Sequence, residues 1–291
     1  DVIYLPGNKI SGTDIRDSDA LLIRTRTKCN RDLLEGSAVR FIGSATIGFD
    51  HIDTAYCIAN QIDWINAPGC NAASVQQYIA SALVFLALQK GLDLCQKTLG
   101  IVGVGYVGSK VELLGRTLGM NVLLNDPPRE RVEMSNEFVS LDTLVRHSDI
   151  ISLHVPLTRE GPDATFHLFE RSLISAMKKG SWLLNSSRGE VIDTDALKAA
   201  LLEGHLGGTV LDVWENEPEP DPRIISLTTL GTPHIAGYSL DGKANGTARV
   251  VRELAARFGL PLTDWYPADF ILAPPTPIRL TGKQKSDQHW Y

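Results

Sequence analysis

Three residues late in the chain, Arg188, Glu217 and His234, are of types that together can move a proton beside a bound carboxylate. Histidine titrates nearest to neutral pH and is the natural base for a hydroxyl proton. A neighbouring carboxylate orients the imidazole and favours its charged form, and the planar fork of an arginine grips a carboxylate through two hydrogen bonds. Base, orienter and anion clamp beside a nicotinamide are what hydride transfer to and from a 2-hydroxy acid requires. Singly, none of the three is informative. Arg188, in Asn185-Ser186-Ser187-Arg188-Gly189, reads as an ordinary surface arginine, and His234, in Thr232-Pro233-His234, as a structural histidine. Glu217 stands in the acidic run Asp212-Val213-Trp214-Glu215-Asn216-Glu217-Pro218, where Glu215, like Glu219 just beyond, is read as a solvated charge.

A cofactor signal stands about eighty residues before this set. Gly103-Val104-Gly105-Tyr106-Val107-Gly108 has the G-x-G-x-x-G spacing, with the apolar run LGIVG entering it and a helical pattern leaving from Tyr106. In that context Gly103 permits the tight turn, Gly105 lets the backbone approach a pyrophosphate, and Gly108 lets helix and strand pack closely. The helix start then offers free N–H groups to the phosphates. Asp126 follows 18 residues after Gly108, at the end of the next apolar run, where a carboxylate can bind ribose hydroxyls. It would repel a 2′-phosphate, so the expected cofactor is NAD, although Arg129 nearby weakens the argument against NADP.

The elements that must position these residues are legible as apolar runs alternating with helical stretches. The runs are Leu99–Gly103, Val122–Asn125, Ile150–His154, Trp182–Asn185 and Val210–Trp214, with a weaker one at Thr228–Gly231. Runs apolar on both faces are what strands of a buried parallel sheet look like. The helix Tyr106–Leu118 is predicted to close on Gly119, and Ser140 and Asp193 are predicted N-caps. The pattern predicts a Rossmann-type doubly wound α/β domain. The first 70 residues repeat the theme on a smaller scale, with strands expected at Val2–Leu5, Leu21–Arg24, Arg40–Gly43 and Asp63–Ile65. We read them as a smaller, flavodoxin-like α/β substrate domain. Two long helices, Ser74–Lys90 and about Asp241–Phe258, would carry the chain between the domains. The expected division is a substrate domain over 1–75 completed by 240–262, an NAD-binding domain over 76–239, and a remnant or start of a dimerisation region over 263–291.

Composition narrows the class. The chain has 291 residues, is 43% hydrophobic and 21% charged, and carries a net charge of −6, which argues against a nucleic-acid partner. No uninterrupted apolar run approaches bilayer length, and no signal segment opens the chain, so no membrane partner is expected. Four scattered cysteines, Cys29, Cys57, Cys70 and Cys95, fit reduced thiols and a cytoplasmic location better than a disulfide frame. The chain opens on Asp1 and runs straight into VIYLP, so its first domain is expected to be incomplete.

With the glycine motif, the Asn-x-x-Arg-Gly loop, the Glu217-Pro218 loop and the Pro233-His234 loop in that order, the chain resembles the D-isomer-specific 2-hydroxyacid dehydrogenases. APGCNA (Ala67–Ala72), DPPR (Asp126–Arg129), DVWENEPEPD and HIAGYSLDGKANGT (His234–Thr247) narrow the resemblance to a branch acting on a phosphorylated 2-hydroxy acid in vitamin B6 synthesis. The resemblance implies that Arg188, Glu217 and His234 are catalytic, with His234 exchanging the proton. It implies cofactor contacts from Gly103, Gly105, Tyr106, Val107, Gly108, Asp126, Val155, Ser186, Ser187, Asp212 and Gly237, and substrate contacts from Thr25, Thr46 and Tyr238. From charge alone, Arg24 and Lys28 are added as cations for the substrate phosphate. It further implies a homodimer, although members of the branch begin with about one more strand and helix and continue into a C-terminal dimerisation domain. The competing readings are a relative acting on 3-phosphoglycerate or on glyoxylate and hydroxypyruvate, and a non-enzymatic NADH-sensing protein.

Overall fold

A computed structural model describes residues 1–268, which form two compact units. The expected region over 263–291 therefore lies almost wholly outside the described residues. Among the described residues, the smaller unit comprises Asp1–Asn71 and the chain from Tyr238 to its last described residue, and the larger comprises Ala72–Gly237.

The smaller unit carries β1 (Ala20–Ile23), α1 (Arg31–Leu34), β2 (Phe41–Ser44), α2 (Thr54–Ala59) and β3 (Asp63–Ile65). Its three strands are parallel in the order β1-β2-β3. Val2–Leu5, expected as a strand, is not one. Those residues pair with nothing in the sheet and are exposed, because apolar alternation specifies a strand only where a partner edge satisfies its backbone. One face of the sheet buries Ile15, Leu21, Ile23, Leu34 and Ile42.

The larger unit begins with α3 (Ala72–Lys90) and continues as β4 (Thr98–Val102), α4 (Gly108–Thr117), β5 (Asn121–Asn125), α5 (Pro127–Glu133), α6 (Leu141–His147) and β6 (Ile150–Leu153). It ends with α7 (Arg171–Ala176), β7 (Trp182–Asn185), α8 (Thr194–Leu202), β8 (Gly208–Leu211), α9 (Pro222–Leu227) and the two-residue β9 (Leu230–Gly231). The six strands are parallel in the order β5-β4-β6-β7-β8-β9. A single parallel bridge, Leu124 to Phe138, lies beyond β5. Counted as a third strand reduced to one residue pair, it gives the 3-2-1-4-5-6 order of a dinucleotide-binding sheet. Successive residues point to opposite faces, so Leu99, Ile101, Ile150, Leu184 and Val210 pack with α3 and α4. Val102, Ile151, Leu153, Leu183 and Leu211 pack with α6 to α9. Each such side chain, taken out of water, contributes roughly 1.5–3 kcal/mol.

Among the described residues α3 is long and apolar enough to cross a bilayer, yet Ile79, Leu83 and Leu86 on it are buried in this core. The predicted caps are present. Ser140 accepts from Thr143 N, Asp193 accepts from Ala196 N, and Gly119 takes φ +73° after α4.

Helix α10 (Leu240–Phe258) returns to the smaller unit and covers the other face of its sheet. Its buried side is made of small residues, and a Cβ on Gly246 would fall 2.8 Å from the Ala45 carbonyl oxygen. Arg257 pairs with Asp63, and Gly259 ends the helix in the left-handed conformation.

Candidate active site

The glycine loop leaves β4 at the point where the order of the larger sheet reverses. Gly103 has φ +86°, and a Cβ there would lie 2.6 Å from the His154 carbonyl oxygen and 2.8 Å from Val155 Cγ1. A Cβ on Gly108 would lie 2.0 Å from the Gly103 oxygen. At Gly105 the same atom would meet nothing within 4 Å, so backbone is presented to open space at the start of α4. That combination, two glycines forced by packing and one left open, fits a pyrophosphate. Tyr106 is exposed beside it.

Asp126, at the end of β5, accepts from Val104 N at 2.7 Å and caps α5 through Arg129 N at 3.1 Å. A carboxylate has about four acceptor sites, so capacity for ribose hydroxyls remains. Arg129, which weakened the case against NADP, is engaged with Glu133 and lies over the Phe138 ring.

Arg188 is carried on a loop after β7 that is braced from below by Asn185. The buried Asn185 amide accepts from Ser187 N and Oγ and donates to the Arg188 carbonyl at 2.8 Å. The Ser187 hydroxyl is thereby turned onto Asn185, whereas Ser186 Oγ is buried with no hydrogen-bond partner among the described residues. Gly189 follows because a Cβ there would fall 2.0 Å from the Trp214 carbonyl carbon, so the arginine loop and the acidic loop after β8 touch backbone to backbone.

In the acidic loop Glu217 reaches two partners. Its Oε1 accepts from Trp214 N at 2.8 Å, and its Oε2 lies 2.7 Å from His234 Nδ1. Burial alone would raise the Glu217 carboxyl, but the hydrogen bonds from His234 and Trp214 and the charges of His234 and Arg188 hold it below its ordinary range. His234 is raised above the ordinary imidazole value, first by that hydrogen bond and against the pull of burial, with the charges of Glu217 and Asp212 adding and Arg188 opposing. Because Nδ1 faces a carboxylate it carries the hydrogen, which leaves Nε2 as the atom that exchanges a proton. His234 has φ +55°, uncommon outside glycine, asparagine and aspartate.

What holds the histidine in that conformation is Asp212, only 1% exposed. Its Oδ1 accepts from Thr232 Oγ1 at 2.6 Å and Ile235 N at 2.8 Å, and its Oδ2 accepts from Ala236 N at 2.8 Å. Its own carbonyl takes the His234 N–H at 2.7 Å. From α3, Tyr78 reaches Thr232 at 2.7 Å and Ser74 donates to the Ala236 carbonyl at 2.7 Å. Sequence reasoning missed Tyr78, Ser74 and Thr232. A tyrosine on the apolar face of a helix, whose hydroxyl when buried needs a partner, was the available signal. Glu215, read from the sequence as solvated, is not: its side chain is 19% exposed and its Oε1 lies 2.7 Å from His167 Nε2. The His167 ring nitrogen and the Thr194 N–H at the start of α8 hold it in.

The expected substrate residues sit in the smaller unit. Arg24 and Thr25 follow β1, and Thr46, just past β2, shares a 2.6 Å hydrogen bond with Ser44 and donates to the Gly48 carbonyl. Tyr238, 69% exposed, precedes α10, and Lys243 Nζ lies 3.4 Å from the centre of its ring. The Tyr238 phenol is held below its ordinary value first by Lys243 and then by Arg24 and Arg26. Arg26 therefore joins Arg24 as a cation acting on Tyr238. Gly237 ends the larger unit.

The family model described as "D-isomer specific 2-hydroxyacid dehydrogenase, NAD binding domain" matches residues 77–236, more than half of the chain. A protein named erythronate-4-phosphate dehydrogenase from Bacteroides fragilis is 51% identical over 277 residues, covering 95% of this chain and 78% of that protein. One of the same name from Pseudomonas savastanoi pv. phaseolicola is 43% identical over 286 residues, covering 98% and 74%. Among solved structures, D-lactate dehydrogenase from Aquifex aeolicus complexed with NAD and lactic acid matches with a TM-score of 0.73 at 29% identity, over 86% of each chain. An NAD-dependent formate dehydrogenase from Staphylococcus aureus in complex with NAD matches with a TM-score of 0.69 at 28% identity, over 90% of this chain and 85% of that one.

Proposed function

The chain belongs to the D-isomer specific 2-hydroxyacid dehydrogenase family, and from that premise we propose that this NAD-dependent oxidoreductase oxidises 4-phospho-D-erythronate to 3-hydroxy-2-oxo-4-phosphooxybutanoate on the route to pyridoxal 5′-phosphate. The observation that carries the chemistry is the 2.7 Å pairing of His234 Nδ1 with Glu217, with Arg188 acting electrostatically on both. The name borne by relatives 43–51% identical to this chain supports the substrate.

In this reading His234 Nε2 takes the proton of the C2 hydroxyl, and Glu217 stabilises the imidazolium that results. Arg188 holds the substrate carboxylate through two hydrogen bonds, which fixes C2 next to the base. The chemistry that a bound NAD would supply is acceptance of the hydride from C2, which leaves the carbonyl there. Gly103, Gly105, Tyr106, Val107 and Gly108 would hold its pyrophosphate and Asp126 its adenosine ribose, and Val155, Ser186, Ser187, Asp212 and Gly237 would flank the nicotinamide end. The orphaned Ser186 hydroxyl supports this, since a buried polar atom needs a partner and a bound cofactor would supply one. Within the smaller unit, Arg24, Thr25, Thr46 and Tyr238 contact the substrate, and Lys243 and Arg26 add positive charge for its phosphate. A cytoplasmic homodimer completes the proposal, and light scattering on the purified protein tests the oligomeric state.

The deciding experiment is a panel followed by nicotinamide absorbance, with NAD and NADP. The panel contains 4-phosphoerythronate, 3-phosphoglycerate, glycerate and D-lactate, and the matching 2-oxo acids with NADH. The expected outcome is highest kcat/KM for 4-phosphoerythronate with NAD. Preference for another acid would reject the substrate, and NADH binding without turnover on any acid would reject the reaction.

A further inference from the structure

Two residues before Glu217 there is a second histidine–carboxylate pair for which the proposed reaction has no use. His167 Nε2 stands 2.7 Å from Glu215 Oε1, and the other oxygen, Glu215 Oε2, accepts from Thr194 N at 3.3 Å at the start of α8. Neither partner is freely solvated, with side-chain exposures of 33% and 19%. His167 occupies the left-handed region at φ +49°, and its N–H donates to the Glu190 carbonyl at 2.8 Å. Its ring stacks on Phe166, with centroids 4.1 Å apart and planes inclined by 13°. An uncommon backbone conformation held by a stacked ring and a hydrogen bond shows that the surroundings fix this side chain in place.

The pair connects two loops that the proposed chemistry needs. The segment from Val155 to His167 leaves β6 beside Gly103 and is closed on itself, with Thr158 N donating to Thr165 Oγ1 and Phe166 N to the Thr158 carbonyl. At its far end His167 grips Glu215. One peptide bond away, Trp214 N orients Glu217, which in turn orients His234. The contacts run His167 to Glu215 at 2.7 Å, Trp214 to Glu217 at 2.8 Å and Glu217 to His234 at 2.7 Å. Asn216, between the two glutamates, has φ +62°, so the short backbone that joins them has little room to relax without losing one contact or the other.

We infer that His167 is a positioning residue: through Glu215 it holds the peptide that orients Glu217, and so sets the geometry of the His234–Glu217 pair. The inference rests on reading that pair as the proton-handling group, and its test is independent of finding the right substrate.

The test is an NMR titration of the His234 imidazole in isotope-labelled full-length chain, assigned by the signal lost in His234→Asn. It is run on the parent protein and on His167→Asn, His167→Gln and Glu215→Ala. Asparagine tolerates the left-handed backbone but is too short to reach Glu215, whereas glutamine keeps a donor at longer reach. In His167→Asn and Glu215→Ala the His234 midpoint is expected to fall toward the ordinary imidazole value, and in His167→Gln to return toward the parent's. With the 2-hydroxy acid that the parent turns over best, kcat in the first two is expected to fall about ten- to a hundredfold while KM for NAD stays within about twofold. The double variant is expected to lose no more than either single one, because the two side chains act as a unit. A midpoint unmoved in both His167→Asn and Glu215→Ala would overturn the inference, even if those variants were less stable. Equal behaviour of His167→Gln and His167→Asn would also overturn it. Should His167→Asn fail to fold, Glu215→Ala decides alone. If the parent oxidises no 2-hydroxy acid, the functional reading falls while the titration still decides this one.

Discussion

Gly189 and Trp214 meet backbone to backbone: a Cβ on Gly189 would fall 2.0 Å from the Trp214 carbonyl carbon and 2.3 Å from the next nitrogen. The loop presenting Arg188 and the loop presenting Glu217 are therefore registered by the absence of one methyl group. Gly189→Ala is expected to destabilise the fold by about 1–3 kcal/mol as an overpacked contact. It should also lower kcat/KM by more than the fraction unfolded accounts for. Thermal melts beside steady-state kinetics check both, and normal activity in the folded fraction would refute the registration.

His234→Asn is expected to keep the fold, because φ +55° is a conformation that asparagine tolerates. It should reduce turnover by roughly 10²–10⁴-fold with NAD affinity unchanged. Fluorescence titration with NADH and steady-state kinetics separate the two effects. Turnover within a few-fold of the parent would remove His234 from the chemistry.

The pH dependence has a definite sign. Oxidation needs neutral His234, whose pKa is raised above 6.5 by Glu217, so kcat/KM for the hydroxy acid rises as pH climbs through that raised value. Reduction of the oxo acid needs the protonated ring and falls over the same range. In Glu217→Gln the carboxylate is gone while burial and Arg188 remain, so both midpoints should move down. For stability, the raised histidine contributes fully below 6.5 and the depressed carboxylate fully above 4.5. The pair thus stabilises most between those values and loses its contribution as pH rises through the His234 pKa. A stability-versus-pH curve unchanged by Glu217→Gln over that range would contradict this.

Lys243→Met keeps the length of the side chain and removes its charge. It is expected to lower kcat/KM for 4-phosphoerythronate about ten- to a hundredfold, the worth of one charge-assisted hydrogen bond. Unphosphorylated erythronate should be affected by no more than about twofold. Equal losses on both acids would detach Lys243 from the phosphate.

The larger unit was legible in the sequence because its strands are buried on both faces and read as unbroken apolar runs. Trp182–Asn185 matches β7 residue for residue, and the other main runs overlap β4, β5, β6 and β8 within a residue or three. The third strand was not legible, because a strand reduced to the Leu124–Phe138 bridge leaves no periodicity to detect. Val2–Leu5 failed the opposite way, with a good local pattern and no edge to join.

In the site, the pairing of Glu217 with His234 was inferable from what a base requires, and the two are in contact. The supports were harder to see, because they depend on through-space approach. Tyr78 and Thr232 lie 154 residues apart, and Asp212 meets Ala236 across 24. Glu215 shows how composition misleads: four carboxylates within eight positions suggest solvent, yet Asp212, Glu215 and Glu217 each face specific donors.

Asp212 gathers three donors from the His234 loop onto one buried carboxylate. Asparagine there would turn a donor toward a donor at one of these positions, a local conflict in a unit whose strands and core stay as they were. Damage at this position would therefore spare the glycine loop and most of the core while releasing the base. A survey of soluble expression would score such variants as intact, and a growth selection would score them as dead. The gap between the two assays is itself a map of which residues serve the histidine loop rather than the fold.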